Sequence, residues 1–203
     1  MTTPHPMAME VTIALVLGGG LMAVATIMAA WRRQHASGLA WALLAALAGA
    51  LVAMGASLHR PQGGGLRAAG VQIVAVALAA LAGLLPSPMR EGQPERPALA
   101  RTLQVAAWLA LLGVPPTVGF HARVLVSRAF ILAGWTWAAV LVAAANALWL
   151  IPALSAWRTP GVSVRRHHTT LALALLAAIM LLGLYPQPAI QAADALARLL
   201  GPG

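Results

Sequence analysis

The chain has 203 residues, of which 61% are hydrophobic and 8% are charged. So large an apolar share leaves too little polar surface to cover a water-soluble globule, and an ordinary soluble domain is excluded. The net charge of +9 does not point to nucleic acid, because the arginines sit in short stretches between apolar runs, with no aromatic interleaving and no basic face. A membrane-topology signal accounts for them.

The apolar runs fall at residues 10–31, 39–58, 68–85, 102–126, 130–157 and 169–185, each reaching or approaching the ~20 residues that a bilayer core requires. They predict an all-α, polytopic membrane bundle of about six transmembrane helices, one of them broken at Gly113–Gly119; the count becomes seven if the broken helix is two half-spans. Residues 1–9 are expected as an outward-facing tail and residues 10–203 as a single membrane domain. No basic stretch precedes the first run, so that helix does not read as a cleavable signal.

The first helix carries Gly18-Gly19-Gly20, small enough to let another helix backbone come close. The second has no polar side-chain atom from Leu39 to Ala56 except the Trp41 indole and offers ions nothing. Pro61-Gln62-Gly63-Gly64-Gly65 has the composition of a turn. The third helix contains Gln72 and stops at Pro86-Ser87-Pro88; the segment from Met89 to Pro97, with Arg90, Glu91, Glu95 and Arg96, is expected as a solvated surface loop.

The fourth run is the most informative. Pro115 and Pro116 have no N–H for the carbonyls one turn back, and Pro116 also pushes its predecessor out of helical geometry, so the helix must break there. His121 and Arg123 follow on the far side. Broken backbone at membrane depth survives only when protein or a water-filled cavity shelters it, and an ionisable group beside it suggests a transport site. Histidine is the side chain that exchanges protons near neutral pH, which makes His121 a proton-path candidate; the alternative is a hydrogen bond to carbonyls freed by the prolines. Further on, Trp135 and Trp137 suit an interfacial aromatic belt, and Asn146 either bonds a neighbouring helix or lines a polar path. The adjacent His167 and His168 lack partner ligands at metal-binding spacing. Residues 189–200 are amphipathic, with Asp194 and Arg198, and are expected along the membrane interface.

Alternating the loops across the bilayer puts Arg32, Arg33, Arg90, Arg96, Arg101, Arg158, Arg165 and Arg166 on one side and Arg60, Arg67, Arg128 and Arg198 on the other. The richer side is expected in the cytoplasm, which places both termini outside. All thirteen basic side chains are arginine, a pattern that fits a GC-rich genome. There is no cysteine, so disulfides, thiolate-bound zinc and iron–sulfur clusters are not available from this chain, and no cofactor is expected on it.

Taken as a unit, Leu111-Leu112-Gly113-Val114-Pro115-Pro116-Thr117-Val118-Gly119-Phe120-His121-Ala122-Arg123 resembles a pattern of the antiporter-like membrane subunits of respiratory complex I, Leu-Ala-Gly-Ile-Pro-Pro-x-x-Gly-Phe-x-x-Lys. The nearest likeness is to the N subunit. Asn146 falls at the family's Asn-Ser pair, Leu182-Gly183-Leu184-Tyr185-Pro186-Gln187-Pro188 is similar to its closing Leu-Gly-x-Trp-Pro-Gln-Pro, and Ala29-Ala30-Trp31-Arg32-Arg33-Gln34 is weakly similar to its Ala-Leu-x-Gln-x-Asp connection. Family members are built from two inverted helix repeats, and this chain resembles only the C-terminal part, about the last six helices. The first-repeat glutamate and the central lysines have no counterpart. Arg123 stands where the family has lysine, and His35, Ser37 and Gly38 occupy the loop that usually holds an Asp and a basic pair.

The resemblance implies a truncated N-like membrane-arm subunit of a complex I-type NADH:quinone oxidoreductase, or a related proton-translocating oxidoreductase, in a bacterial inner membrane. It implies other membrane-arm subunits as partners, with quinone, flavin and iron–sulfur clusters in those partners only. Arginine stays protonated where a buried lysine can be tuned, so Arg123 is expected as a poor relay and this chain as at most half a proton path. The alternative is a proton-inert subunit that seals and bridges neighbouring antiporter-like subunits. A stand-alone cation/proton antiporter fits less well, since no carboxylate lies in the expected spans except Glu10 at the edge of the first. A broken helix and an Arg123 exposed to lipid would further require a covering partner.

Overall fold

The computed structural model describes residues 6–31, 35–59, 64–88, 95–156, 162–165 and 168–200. Parts of the Ala29–Gln34 and Pro61–Gly65 connections, together with Arg32, Arg33, Arg60, Arg90, Glu91, Arg158, Arg166 and His167, lie outside the described residues, as does the side chain of Glu10.

Eight helices make up nearly all of what is described: α1 Pro6–Trp31, α2 His35–His59, α3 Gly65–Leu84, α4 Pro97–Leu112, α5 Val118–Leu132, α6 Thr136–Ala156, α7 Thr169–Leu184 and α8 Gln187–Leu200. The tail expected over residues 1–9 is therefore helical from Pro6, where proline suits a first helical position. The run expected over 130–157 starts later, because Phe130 to Leu132 finish α5 and a turn at Gly134, with φ 81°, separates them from α6.

By length and composition, three stretches are able to cross a membrane, Gly38–Leu58, Gly65–Leu84 and Thr136–Leu154, or four if α7 and α8 count as one bent pair. Six were expected. The difference lies in α1, which counts over the described residues only as the shorter apolar stretch Leu17–Ala29, in the break, which leaves α4 and α5 with 16 and 15 residues, and in α7, which has 16.

The core is built mainly from alanine, and close backbone approach takes the place of side-chain bulk. Gly18 and Gly19 serve as the glycine run predicted: a methyl group on the first would crowd Val52 of α2, and one on the second would press on the Trp137 ring of α6, while Gly20 faces open space. Trp135 is buried in the core, so of the two tryptophans expected in a belt only Trp137 is exposed.

The expected surface loop after α3 is partly strand. Ser87–Pro88 (β1) and Glu95–Arg96 (β2) both pair antiparallel with Val162–Arg165 (β3), in the order β1-β3-β2. This joins Arg96 and Arg165 at one end of the bundle. At the other end of α3, Arg67 pairs with Asp194 of α8.

α8 turns 88° from α7 and lies across α3, with Ala189 and Ala193 buried and its polar side outward. Gly70 of α3 makes room for it, since a methyl group there would stand 2.7 Å from the Ala193 methyl. The Arg67–Asp194 pair is half open to solvent and contributes at most about 1 kcal/mol, so the close packing holds α8. The native chain has no cysteine, which makes a single Ala193→Cys substitution a clean reporter. Maleimide labelling of that cysteine is expected to be slow in the otherwise native chain and fast when Gly70→Leu is added. Asp194→Asn is expected to change it little.

Candidate functional site: two helix ends capped by one helix

The break expected from the sequence is present and lies at the residues named for it. α4 ends in a left-handed glycine cap: Gly113 has φ 71°, its N–H reaches the Ala110 carbonyl at 3.3 Å, and the Val114 N–H reaches the Leu109 carbonyl at 3.0 Å. The Leu111 carbonyl would next require the N–H of residue 115, which is proline, and is left without a helical donor. Arg123 supplies one. Its Nε and Nη2 both donate to the Leu111 oxygen, at 3.1 and 2.8 Å.

The guanidinium also stacks on Trp149 of α6, 5.1 Å from the ring centroid, and Arg123 is only 7% exposed. A cation at the C-terminal end of α4 faces the negative pole of that helix. No carboxylate pairs with it among the described residues, where the ion pair formed is Arg67–Asp194. The expected exposure of Arg123 to lipid is not found, because α4 and α6 bury it; the argument for an obligate covering partner loses that support. The loop itself, Val114 to Pro116, is exposed.

His121 performs the same service for a different helix. Its Nε2 lies 2.7 Å from the Gly183 carbonyl, in the last turn of α7. A carbonyl can only accept, so Nε2 carries the proton in this bond. The expected alternative for His121, bonding the carbonyls freed by the prolines, is corrected in its partner: Arg123 takes the proline-freed carbonyl and His121 takes one from α7. Two residues apart on a helix means about 200° of rotation, which is why the side chains reach opposite neighbours.

Close approach at glycine holds the break in place. A methyl group on Gly119 would collide with the Ala110 carbonyl oxygen, and one on Gly183 with that of Pro116. The Thr117 hydroxyl does not cap α5; it turns back to the Val114 carbonyl at 2.7 Å, with the Leu109 carbonyl at 3.3 Å. Phe120 is exposed at the start of α5, with its ring edge-on to His121.

Asn146 lies half-buried on α6, and its Oδ1 has no hydrogen-bond partner among the described residues. It lines an open groove of about 450 Å³ beside the break, together with Gly113, Phe120, Arg123, Ser127 and Arg128. The sequence-named residues therefore gather at one place, except that His121 points away to α7. Trp149, Gly183, Ser127 and Arg128 belong to the site and were not singled out for it. Trp149 had a legible signal, standing three residues after Asn146 and so on the same side of α6.

Comparison with protein-family models and with curated proteins finds no match for this chain.

Arg123→Met leaves the Leu111 carbonyl without a donor and removes the stacking on Trp149. It is expected to cost about 3 kcal/mol, read as a lower thermal unfolding midpoint in detergent. Arg123→Lys keeps the charge without the two-pronged contact and is expected to recover less than half of that loss.

Proposed function

We propose that the chain is a membrane subunit resembling the C-terminal part of the complex I N subunit, working inside the membrane arm of a multi-subunit NADH:quinone-type oxidoreductase, and that it is proton-inert. In this reading it crosses a bacterial inner membrane six times with both termini outside, α8 lies along the interface, and the redox groups belong to partner subunits. Its task is to fill the arm and seal the bilayer beside neighbouring antiporter-like subunits.

The likeness of the motifs at Leu111–Arg123 and Leu182–Pro188 supports membership of such an arm. One observation carries the choice of an inert seal over half a proton path: the two ionisable side chains at the break are each committed to the free C-terminal carbonyl of a neighbouring helix. A relay must exchange its proton, and Nε2 of His121 holds its own in a structural bond while arginine does not release one. The two side chains hold helix ends in place, where a path would need groups free to exchange protons.

His121 keeps a second ring nitrogen and is half-buried, which favours the half-path as the second reading. The two are separated by His121→Gln, whose amide N–H can still donate to Gly183 but cannot titrate. Purification of the tagged chain from its native host in mild detergent is expected to bring flavin, iron–sulfur and antiporter-like subunits with it. In that assembly His121→Gln is expected to leave the proton-to-electron ratio unchanged. A lowered ratio establishes the path in place of the seal, and recovery of the chain without redox subunits removes the oxidoreductase reading altogether.

A further inference from the structure

The groove beside the break carries more positive charge than the capping role uses. Arg123 offers Nε and Nη2 to Leu111, and its remaining nitrogen has no partner in the fold among the described residues. Arg128 lines the same groove five residues later, about 7.5 Å further along α5, and is exposed. Ser127 adds a hydroxyl, and Asn146 lines the groove with its Oδ1 buried. Around these polar groups the rim is apolar and open, with Val124 50% exposed, Ile131 57% and Leu132 43%.

We propose that this groove is a binding site for an anionic phospholipid. The phosphate lies between the guanidinium groups of Arg123 and Arg128, a headgroup hydroxyl reaches Ser127, and the acyl chains run inward over Val124 and Phe120. The Leu111 carbonyl and the Trp149 ring meet part of the Arg123 charge, and no carboxylate neutralises it among the described residues, so an anion in the groove gains contact with both Arg123 and the exposed Arg128. Several features select a lipid over an acidic side chain from a partner protein. A volume of about 450 Å³ is far larger than a carboxylate, and the groove presents hydroxyl-compatible polar groups as well as cations. Its aliphatic rim continues onto the outer face of α5, where a bilayer supplies acyl chains directly. The site depends only on the chain lying in a membrane, so it stands or falls separately from membership of an oxidoreductase.

The test uses the full chain, purified in mild detergent, stripped by repeated detergent washing and then offered phosphatidylglycerol or phosphatidylcholine in mixed micelles. Retained lipid phosphorus is measured by native mass spectrometry. The native chain is expected to retain phosphatidylglycerol and to discard phosphatidylcholine. Arg128→Gln removes an exposed cation and leaves the cap at Leu111 intact; it is expected to weaken phosphatidylglycerol retention about ten-fold, as loss of one charge-assisted contact would. Val124→Trp fills the groove while leaving both arginines in the chain and is expected to do the same. Equal retention of both lipids, retention unchanged in both variants, displacement by soluble glycerol phosphate at the lipid's own concentration, or a co-purifying protein that cross-links to the groove would each overturn the proposal.

Discussion

A single carbonyl oxygen, that of Leu111, organises the centre of this molecule. It loses its helical donor because the residue four places on is proline, and in an apolar interior an unmet carbonyl costs on the order of 1–3 kcal/mol. Arg123 meets it with two N–H groups, and the bond fixes where α5 must lie relative to α4. Trp149 then has to stand under the guanidinium, which sets the rotation of α6. His121 is carried by the same helix to the end of α7, so the ends of two helices are tied to one.

Such an arrangement changes what the ionisable groups at the break are for. In a soluble protein, carbonyls at a helix end are met by water; within an apolar bundle they have to be met by protein. A charged side chain next to a broken helix can therefore be a structural donor first. Arginine suits that task better than lysine, since its fork reaches one oxygen with two nitrogens and its plane stacks on an indole. The fixed charge that makes Arg123 unfit to pass protons also makes it a better clasp. Phosphate recognition by the unused edge of the guanidinium is compatible with this, because capping and anion binding engage different nitrogens.

Around the clasp, the fold relies on absence of bulk. Gly119 and Gly183 bring two backbones against the α4 end and the break, and Gly70 does so for α8. The alanine-rich core extends the same economy through α2 and α3. Beyond one end of α3 a small sheet joins two connections, and at its other end Arg67 pairs with Asp194 of α8.

The helical class, the place of the break and the amphipathic end were legible in the sequence by itself. Hydropathy, missing N–H groups and helical periodicity are local properties, carried by consecutive residues such as Gly113 to Gly119. Only the tertiary structure decided the rest. That Arg123 would be buried, that it would take the carbonyl Pro115 abandons, that His121 would turn instead to Gly183, and that Trp149 would lie beneath the guanidinium all depend on which helices become neighbours. The strand at Val162–Arg165 was equally out of reach, because its partners lie more than sixty residues upstream and strand pairing leaves little trace in so short a segment. A hydrogen bond between residues far apart in the chain is set by packing, and the packing of an alanine-rich bundle is written in backbone approach and hardly at all in sequence pattern.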